Sequence, residues 1–164
     1  MCSSDLGAVI SGRTMVVKTR GKTPEEALVK NDVAIAVTLG TGPGRNYDSP
    51  GNRSKGVAMF RQALVEAEEY GRKLKGKKPP GRDIGKEVLL KVLEGDIRVM
   101  ITAHTVTDIS AALRLQREFG FELLLDGAAD IQLVQDLVKE AKVPVLLHAP
   151  MLRAGGETKN ASFA

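Results

Sequence analysis

The last third of the sequence predicts an α/β fold with a parallel sheet. Three short apolar runs begin near Val99, Leu123 and Val143, and an amphipathic helical pattern separates each run from the next. Continuous apolar strands between helices are typical of parallel sheets that are covered on both faces. A doubly wound sheet and a (β/α) barrel both satisfy this pattern, so the residues alone leave that choice open.

The first part of the chain carries shorter signals. Between residues 7 and 20, Ser11 and Gly12 separate two β-prone runs, which favours a hairpin. The run Thr23–Glu26 has the order of an N-cap, a proline at the first helical position and a capping-box glutamate, so it predicts a helix start. The apolar run Val33–Leu39 suits either a strand or a helix.

The middle of the chain predicts a loop and two helices. The Gly- and Pro-rich stretch 41–56 is typical of a long surface loop, and it lacks the spacing of a phosphate-binding loop. The next stretch has one apolar helical face, which predicts a long amphipathic helix; this face carries Val57, Phe60, Leu64 and Ala67. A shorter helix is expected around residues 84–93.

Composition indicates one globular domain and excludes several classes of protein. The chain has 164 residues, of which 43% are hydrophobic and 27% charged. No apolar run is long enough for a membrane helix, so we expect a soluble protein without a membrane partner. The single Cys2 supports neither a disulfide framework nor a cysteine zinc site. We interpret residues 1–6 as a non-native leader and residues 7–164 as a partial domain; the compartment is not indicated.

The basic excess does not predict a nucleic-acid partner. The net charge of +4 comes largely from a cluster of lysines and arginines at 72–78, which is followed by Pro79 and Pro80. Aromatic residues on which bases could stack are lacking nearby. We therefore interpret the cluster as a solvated linker.

Polar residues follow the last three apolar runs at equal intervals of one strand–helix unit. The two histidines of the chain, His104 and His148, come after the first and third runs, and Asp126 comes after the second. Ligands bind at the carboxyl ends of strands in parallel α/β folds, so these three residues are the candidate catalytic residues. The alternative is that they cap helices or bond to loop backbone. A zinc site lacks support from any His-x-His pair.

Four segments resemble the imidazolonepropionase-like branch of the amidohydrolase superfamily: Ile101–Ile109, Ala112–Gly120, Leu123–Ala128 and Val143–Pro150. The resemblance implies an incomplete (β/α)8 barrel of the TIM type, in which the strand near Val99 is about the fifth. It also implies a hydrolase that cleaves C–N bonds of cyclic amides or dipeptide-like substrates. In that family one or two divalent metals, such as zinc, activate water.

The resemblance also implies a departure at the metal positions. The fifth-strand histidine of the family would align with Thr102 and the sixth-strand histidine with Gly127, and neither residue is a zinc ligand. The family's His-x-His and its late aspartate would lie outside the chain. Either His104 and Asp126 replace the fifth- and sixth-strand ligands with shifted geometry, or the chain belongs to a divergent branch that has lost the usual metal site. We favour the second alternative and expect a fragment that alone binds no metal and is inactive. A catalytically inactive barrel that binds a small ligand or a partner protein is the alternative, and homo-oligomerisation stays open.

Overall fold

A computed structural model describes residues 9–40 and 52–148. The strands are β1 (Ile10–Val17), β2 (Leu28–Thr38), β3 (Arg98–Ala103), β4 (Leu123–Gly127) and β5 (Val145–Leu147). The helices are α1 (Pro24–Ala27), α2 (Arg53–Leu74), α3 (Ile84–Leu93), α4 (Val106–Phe119) and α5 (Gln135–Glu140), and a 3₁₀ turn covers Ile131–Leu133. The predicted leader at 1–6 and most of the predicted loop at 41–56 lie outside the described residues.

One five-stranded sheet contains the strands in the order β1-β2-β3-β4-β5. The pairs β2–β3, β3–β4 and β4–β5 are parallel, which confirms the predicted adjacent parallel strands of the last third. The first pair is different, because β1 runs antiparallel to β2. The prediction that the strands of the sheet are parallel is therefore wrong for β1 at this edge of the sheet.

The hairpin predicted within residues 7–20 is wrong. A single strand, β1, continues through Ser11 and Gly12, and its partner is β2. Gly12 has a positive φ of 131°, and the pairing register shifts between Ile10 and Gly12. The glycine thus introduces a bulge that bends the strand without reversing the chain.

The helix starts follow the capping residues of the sequence. The Thr23 hydroxyl accepts a 3.3 Å hydrogen bond from the amide of Glu26, so Thr23 is the predicted N-cap of α1. That helix has only four residues, and the apolar run after it is part of β2. Asn52 caps α2, so the predicted surface loop ends before Arg53. Gly120 ends α4 in the left-handed conformation, with φ 72°.

The helix predicted after β4 is shorter than expected. The 3₁₀ turn and α5 share this segment, and Val134 and Val138 are buried. Leu137 of the same helix is 41% exposed. The 3₁₀ turn interrupts the α-helical periodicity of this segment, so α5 begins only at Gln135.

Helices α2 to α5 pack on one face of the sheet. Alternate strand residues such as Val37, Ile101 and Leu125 form one core with Phe60 of α2 and Ile109 of α4. The other face carries a smaller cluster of strand residues, namely Ala34, Ala36 and Met100, with Leu124 against it. A doubly wound sheet has helices on both faces. The observed one-sided layer is consistent with part of an α/β barrel. No helix in the described ranges has both the length and the apolar character needed to cross a membrane.

Candidate functional site

A polar row lies at the carboxyl-terminal edge of the parallel strands. Thr38, Thr102 and Asp126 occupy matching positions on β2, β3 and β4, because Thr38 pairs with Thr102 and Thr102 pairs with Asp126. Side chains alternate between the two faces of a sheet, so all three point to the face of Met100 and Leu124. The row therefore lies on the face opposite to the helices.

Asp126 is the charged residue of this row, and only 7% of its surface is exposed. Its Oδ2 atom accepts a 2.9 Å hydrogen bond from the hydroxyl of Thr102. Its Oδ1 atom lies 2.8 Å from Nε2 of His148. Asp126 lies within β4 and not in a turn or a helix cap, and both oxygens of its carboxylate have side-chain partners. Two hydrogen bonds compensate for the burial of this carboxylate.

His148 directly follows β5, as the sequence predicts, and its side chain is 64% exposed. When Nε2 carries the proton, it donates to Asp126, and Nδ1 keeps a free lone pair. A carboxylate that orients an imidazole in this way is a recurring arrangement for general acid–base catalysis. The pair of Asp126 and His148 can therefore accept and return a proton at the edge of the sheet.

His104 follows β3 and lies beside the end of β4. Its ring is so close to Gly127 that a Cβ atom on this glycine would stand 2.8 Å from Nδ1. The Nδ1 atom is buried and has no hydrogen-bond partner in the part of the chain that the structure describes. Thus the structure brings Asp126 and His148 into direct contact, whereas the ring of His104 lies against Gly127.

An ion pair with a buried carboxylate, which the sequence did not reveal, connects the starts of α2 and α4. Thr105 is the N-cap of α4, and its hydroxyl donates a 2.8 Å hydrogen bond to Asp108. Asp108 is only 1% exposed and forms an ion pair with Arg53, the first residue of α2. Arg53 and Asp108 are far apart in sequence, so no local pattern could have indicated this contact.

No family model matches the chain, and no curated protein matches it. Among solved structures, the chain is similar to the crystal structure of an amidohydrolase from Thermotoga maritima MSB8, with a TM-score of 0.85 and 25% sequence identity. The match covers 93% of this chain. The likeness supports the amidohydrolase superfamily. This chain spans 42% of the length of the Thermotoga amidohydrolase.

The described residues do not fit the metal that an amidohydrolase relation implies. They contain no group of three histidine, cysteine or acidic side chains that could hold a metal ion. A catalytic zinc usually takes three protein ligands and a water. Asp126 and His148 are two residues of a type that binds metals. Their Oδ1 and Nε2 atoms are 2.8 Å apart, so these atoms form a hydrogen bond with each other and are not free to bind a metal.

The register between β3 and β4 also shows that Thr102 and Gly127, the two aligned metal positions, do not lie side by side. Thr102 pairs with Asp126, whereas Gly127 pairs with Ala103 on the opposite face of the sheet. Ligands of one metal on neighbouring strands must point to the same side. The residue of β4 that stands beside Thr102 is therefore Asp126, not Gly127.

Proposed function

We propose that this chain is the part of a C–N hydrolase of the amidohydrolase type that contains the middle strands of a (β/α)8 barrel, within the imidazolonepropionase-like branch. One observation carries the proposal. In a chain whose structure resembles an amidohydrolase, a carboxylate–imidazole pair, Asp126 and His148, lies at the carboxyl edge of the parallel strands. Active sites of (β/α)8 barrel enzymes are built at this edge.

The proposed reaction adds water across a C–N bond of a small cyclic amide or a dipeptide-like substrate. A base removes a proton from water, the oxygen bonds to the carbonyl carbon, and a proton is returned to the nitrogen as the C–N bond breaks. His148 can perform both transfers, because its ring is exposed and is held by Asp126. His104 completes the proposed catalytic set as a neighbouring residue of the same edge.

Two buried polar atoms support a ligand at this edge. The hydroxyl oxygen of Thr38 and the Nδ1 atom of His104 have no hydrogen-bond partner among residues 9–40 and 52–148. A buried polar atom without a partner costs free energy, and such atoms are rare in folded proteins. A bound substrate with its own donors and acceptors would relieve this cost.

The metal implied by the sequence resemblance is a separate part of the proposal. The resemblance implies a divalent metal, such as zinc, that activates water, but the described residues do not fit one. The proposed proton transfers at His148 therefore include no metal-dependent step. Metal analysis of the purified protein tests this point independently of activity, and we expect no stoichiometric zinc bound through Asp126 or His148.

Hydrolysis in water labelled with the heavy oxygen isotope tests the proposed function. A panel of cyclic amides and dipeptides is incubated with the full-length protein, and mass spectrometry detects label in the product carboxylate. His148→Ala should abolish most of the incorporation. Glu122→Gln is the matched control, because Glu122 forms an exposed ion pair with Arg98 at the opposite edge of the sheet. Binding without incorporation of label would instead indicate an inactive barrel.

A further inference from the structure

We infer that Thr102 is a positioning residue for the same site, which holds the carboxylate of Asp126 in the orientation that fixes His148. Thr102, Asp126 and His148 are called the triad below. Its three residues come from three neighbouring strands or their ends, and two hydrogen bonds of 2.9 and 2.8 Å connect them. The catalytic meaning of the triad rests on the proposed function, whereas its hydrogen bonds can be tested without any substrate.

The hydroxyl of Thr102 comes from a rigid part of the sheet. Thr102 lies in β3, which has a parallel partner on each side, and its carbonyl accepts a 3.0 Å hydrogen bond from the amide of Leu39. A β-branched side chain on a strand also has few rotamers. The donor to Asp126 is therefore fixed in position before any ligand binds.

Asp126, held by Thr102, in turn orients His148. The Asp126 side chain is 10% exposed, and its two oxygens bind Thr102 and His148 separately. Loss of the Thr102 donor would free the carboxylate to rotate about its last torsion angle. The ring of His148 would then lose its alignment, because its side chain is 64% exposed and neighbouring atoms pack against it only weakly.

The two ring nitrogens of His148 have different roles in the triad. The Nε2 atom donates to Asp126, so Nδ1 is the proton acceptor. Nδ1 takes a proton from water as the water oxygen bonds to the carbonyl carbon of the substrate. The resulting imidazolium gives this proton to the leaving nitrogen as the C–N bond breaks, and Asp126 remains a carboxylate throughout.

The imidazole N–H signal of His148 in NMR spectra of isotope-labelled protein provides the direct test. The chain has two histidines, so a His104→Gln variant assigns the signals. An exposed ring N–H normally exchanges rapidly with water, but a hydrogen bond to Asp126 slows this exchange. We expect a slowly exchanging Nε2–H in the unmodified protein. It should be lost in Asp126→Ala, should exchange faster in Thr102→Val and should be retained in Thr102→Ser.

Kinetics with a substrate found by the isotope assay give the second readout. Thr102→Val should lower kcat by roughly ten- to a hundredfold, with a much smaller change in KM, because misplacement of a catalytic group affects the transition state most. Thr102→Ser should keep most of the activity, since it retains the hydroxyl. Glu122→Gln should change neither readout, and melting temperatures identify variants that fail to fold.

The outcomes separate this inference from the proposed function. If Thr102→Val changes neither the N–H exchange nor kcat, the inference about Thr102 is overturned even when the protein is a hydrolase. If no substrate incorporates label but Thr102→Val still accelerates exchange, the proposed hydrolase fails and the positioning of His148 by Thr102 stands. A His148 ring protonated on Nδ1 alone would also overturn the inference.

Discussion

Gly127 lies directly against the ring of His104, and a Cβ atom on this glycine would stand 2.8 Å from Nδ1. Gly127 also has a positive φ of 85°, which side-chain-bearing residues rarely adopt. Gly127→Ala should therefore lower the free energy of unfolding by about 2 kcal/mol or more, as the sum of backbone strain and overlap. Urea unfolding measures this change.

Two matched variants separate the contributions at Gly127. Gly120 has φ 72° and open space around its Cβ position, so Gly120→Ala should cost only the backbone strain, about 1 kcal/mol. In a His104→Ala background, Gly127→Ala should recover the part of its cost that comes from overlap. Equal costs for Gly127→Ala in both backgrounds would show that His104 does not pack against this glycine.

Thr38 and Thr102 offer a comparison within one row of the sheet. They pair in register, but only the hydroxyl of Thr102 has a hydrogen-bond partner in the described residues. Thr102→Val should cost about 1–3 kcal/mol, because it leaves an oxygen of the buried Asp126 unsatisfied. Thr38→Val should be close to neutral or stabilising. Thermal unfolding of the two variants checks the order, and a larger loss for Thr38→Val would contradict it.

The ion pair of Arg53 and Asp108 should contribute more to stability than an exposed pair. Asp108 is 1% exposed, so Arg53→Ala leaves a buried carboxylate without its cation, and we expect a loss of about 3 kcal/mol. Arg13 and Asp32 form an exposed pair at 2.9 Å, and Arg13→Ala should cost less than about 1 kcal/mol. Chemical denaturation measures both changes. Similar values for the two variants would argue against a buried role for Asp108.

An exposed apolar ribbon should make the chain associate with itself. Large apolar residues of β1 and the start of β2 are exposed by 39–56%, namely Met15, Val16, Val17, Leu28 and Val29. Edge strands with exposed apolar residues tend to pair with other chains, and a charged residue prevents this. Light scattering should detect association that Val16→Lys reduces. Ala58→Lys on the exposed face of α2 is the control, and a strictly monomeric unmodified protein would contradict the prediction.

Local sequence patterns predicted most of the fold in the last third. Equal intervals placed His104, Asp126 and His148 at the carboxyl ends of consecutive parallel strands, because a strand–helix unit has a regular length, although Asp126 lies within β4 and not after it. The N-cap at Thr105 and the left-handed end at Gly120 depend on a few adjacent residues, so features of this kind leave a local signal in the sequence. The antiparallel β1 was not predicted, because strand pairing across many residues leaves no local signal.

The details of the site needed the structure. Thr102 was identified from sequence only as a replaced metal position, and its hydrogen bond to Asp126 depends on the register between β3 and β4. The contact between Asp126 and His148 likewise depends on side-chain direction on neighbouring strands. The sequence could place these residues at one edge of the sheet but could not decide which of them touch.

The most direct test of the account compares hydrolysis and stability in His148→Ala of the full-length protein. We predict that kcat/KM for C–N hydrolysis falls at least about 100-fold, as expected for loss of a general base. The melting temperature should change little, because the His148 side chain is 64% exposed. Unchanged hydrolysis by a folded His148→Ala variant would contradict the account, and so would a loss of activity that only follows a loss of folded protein.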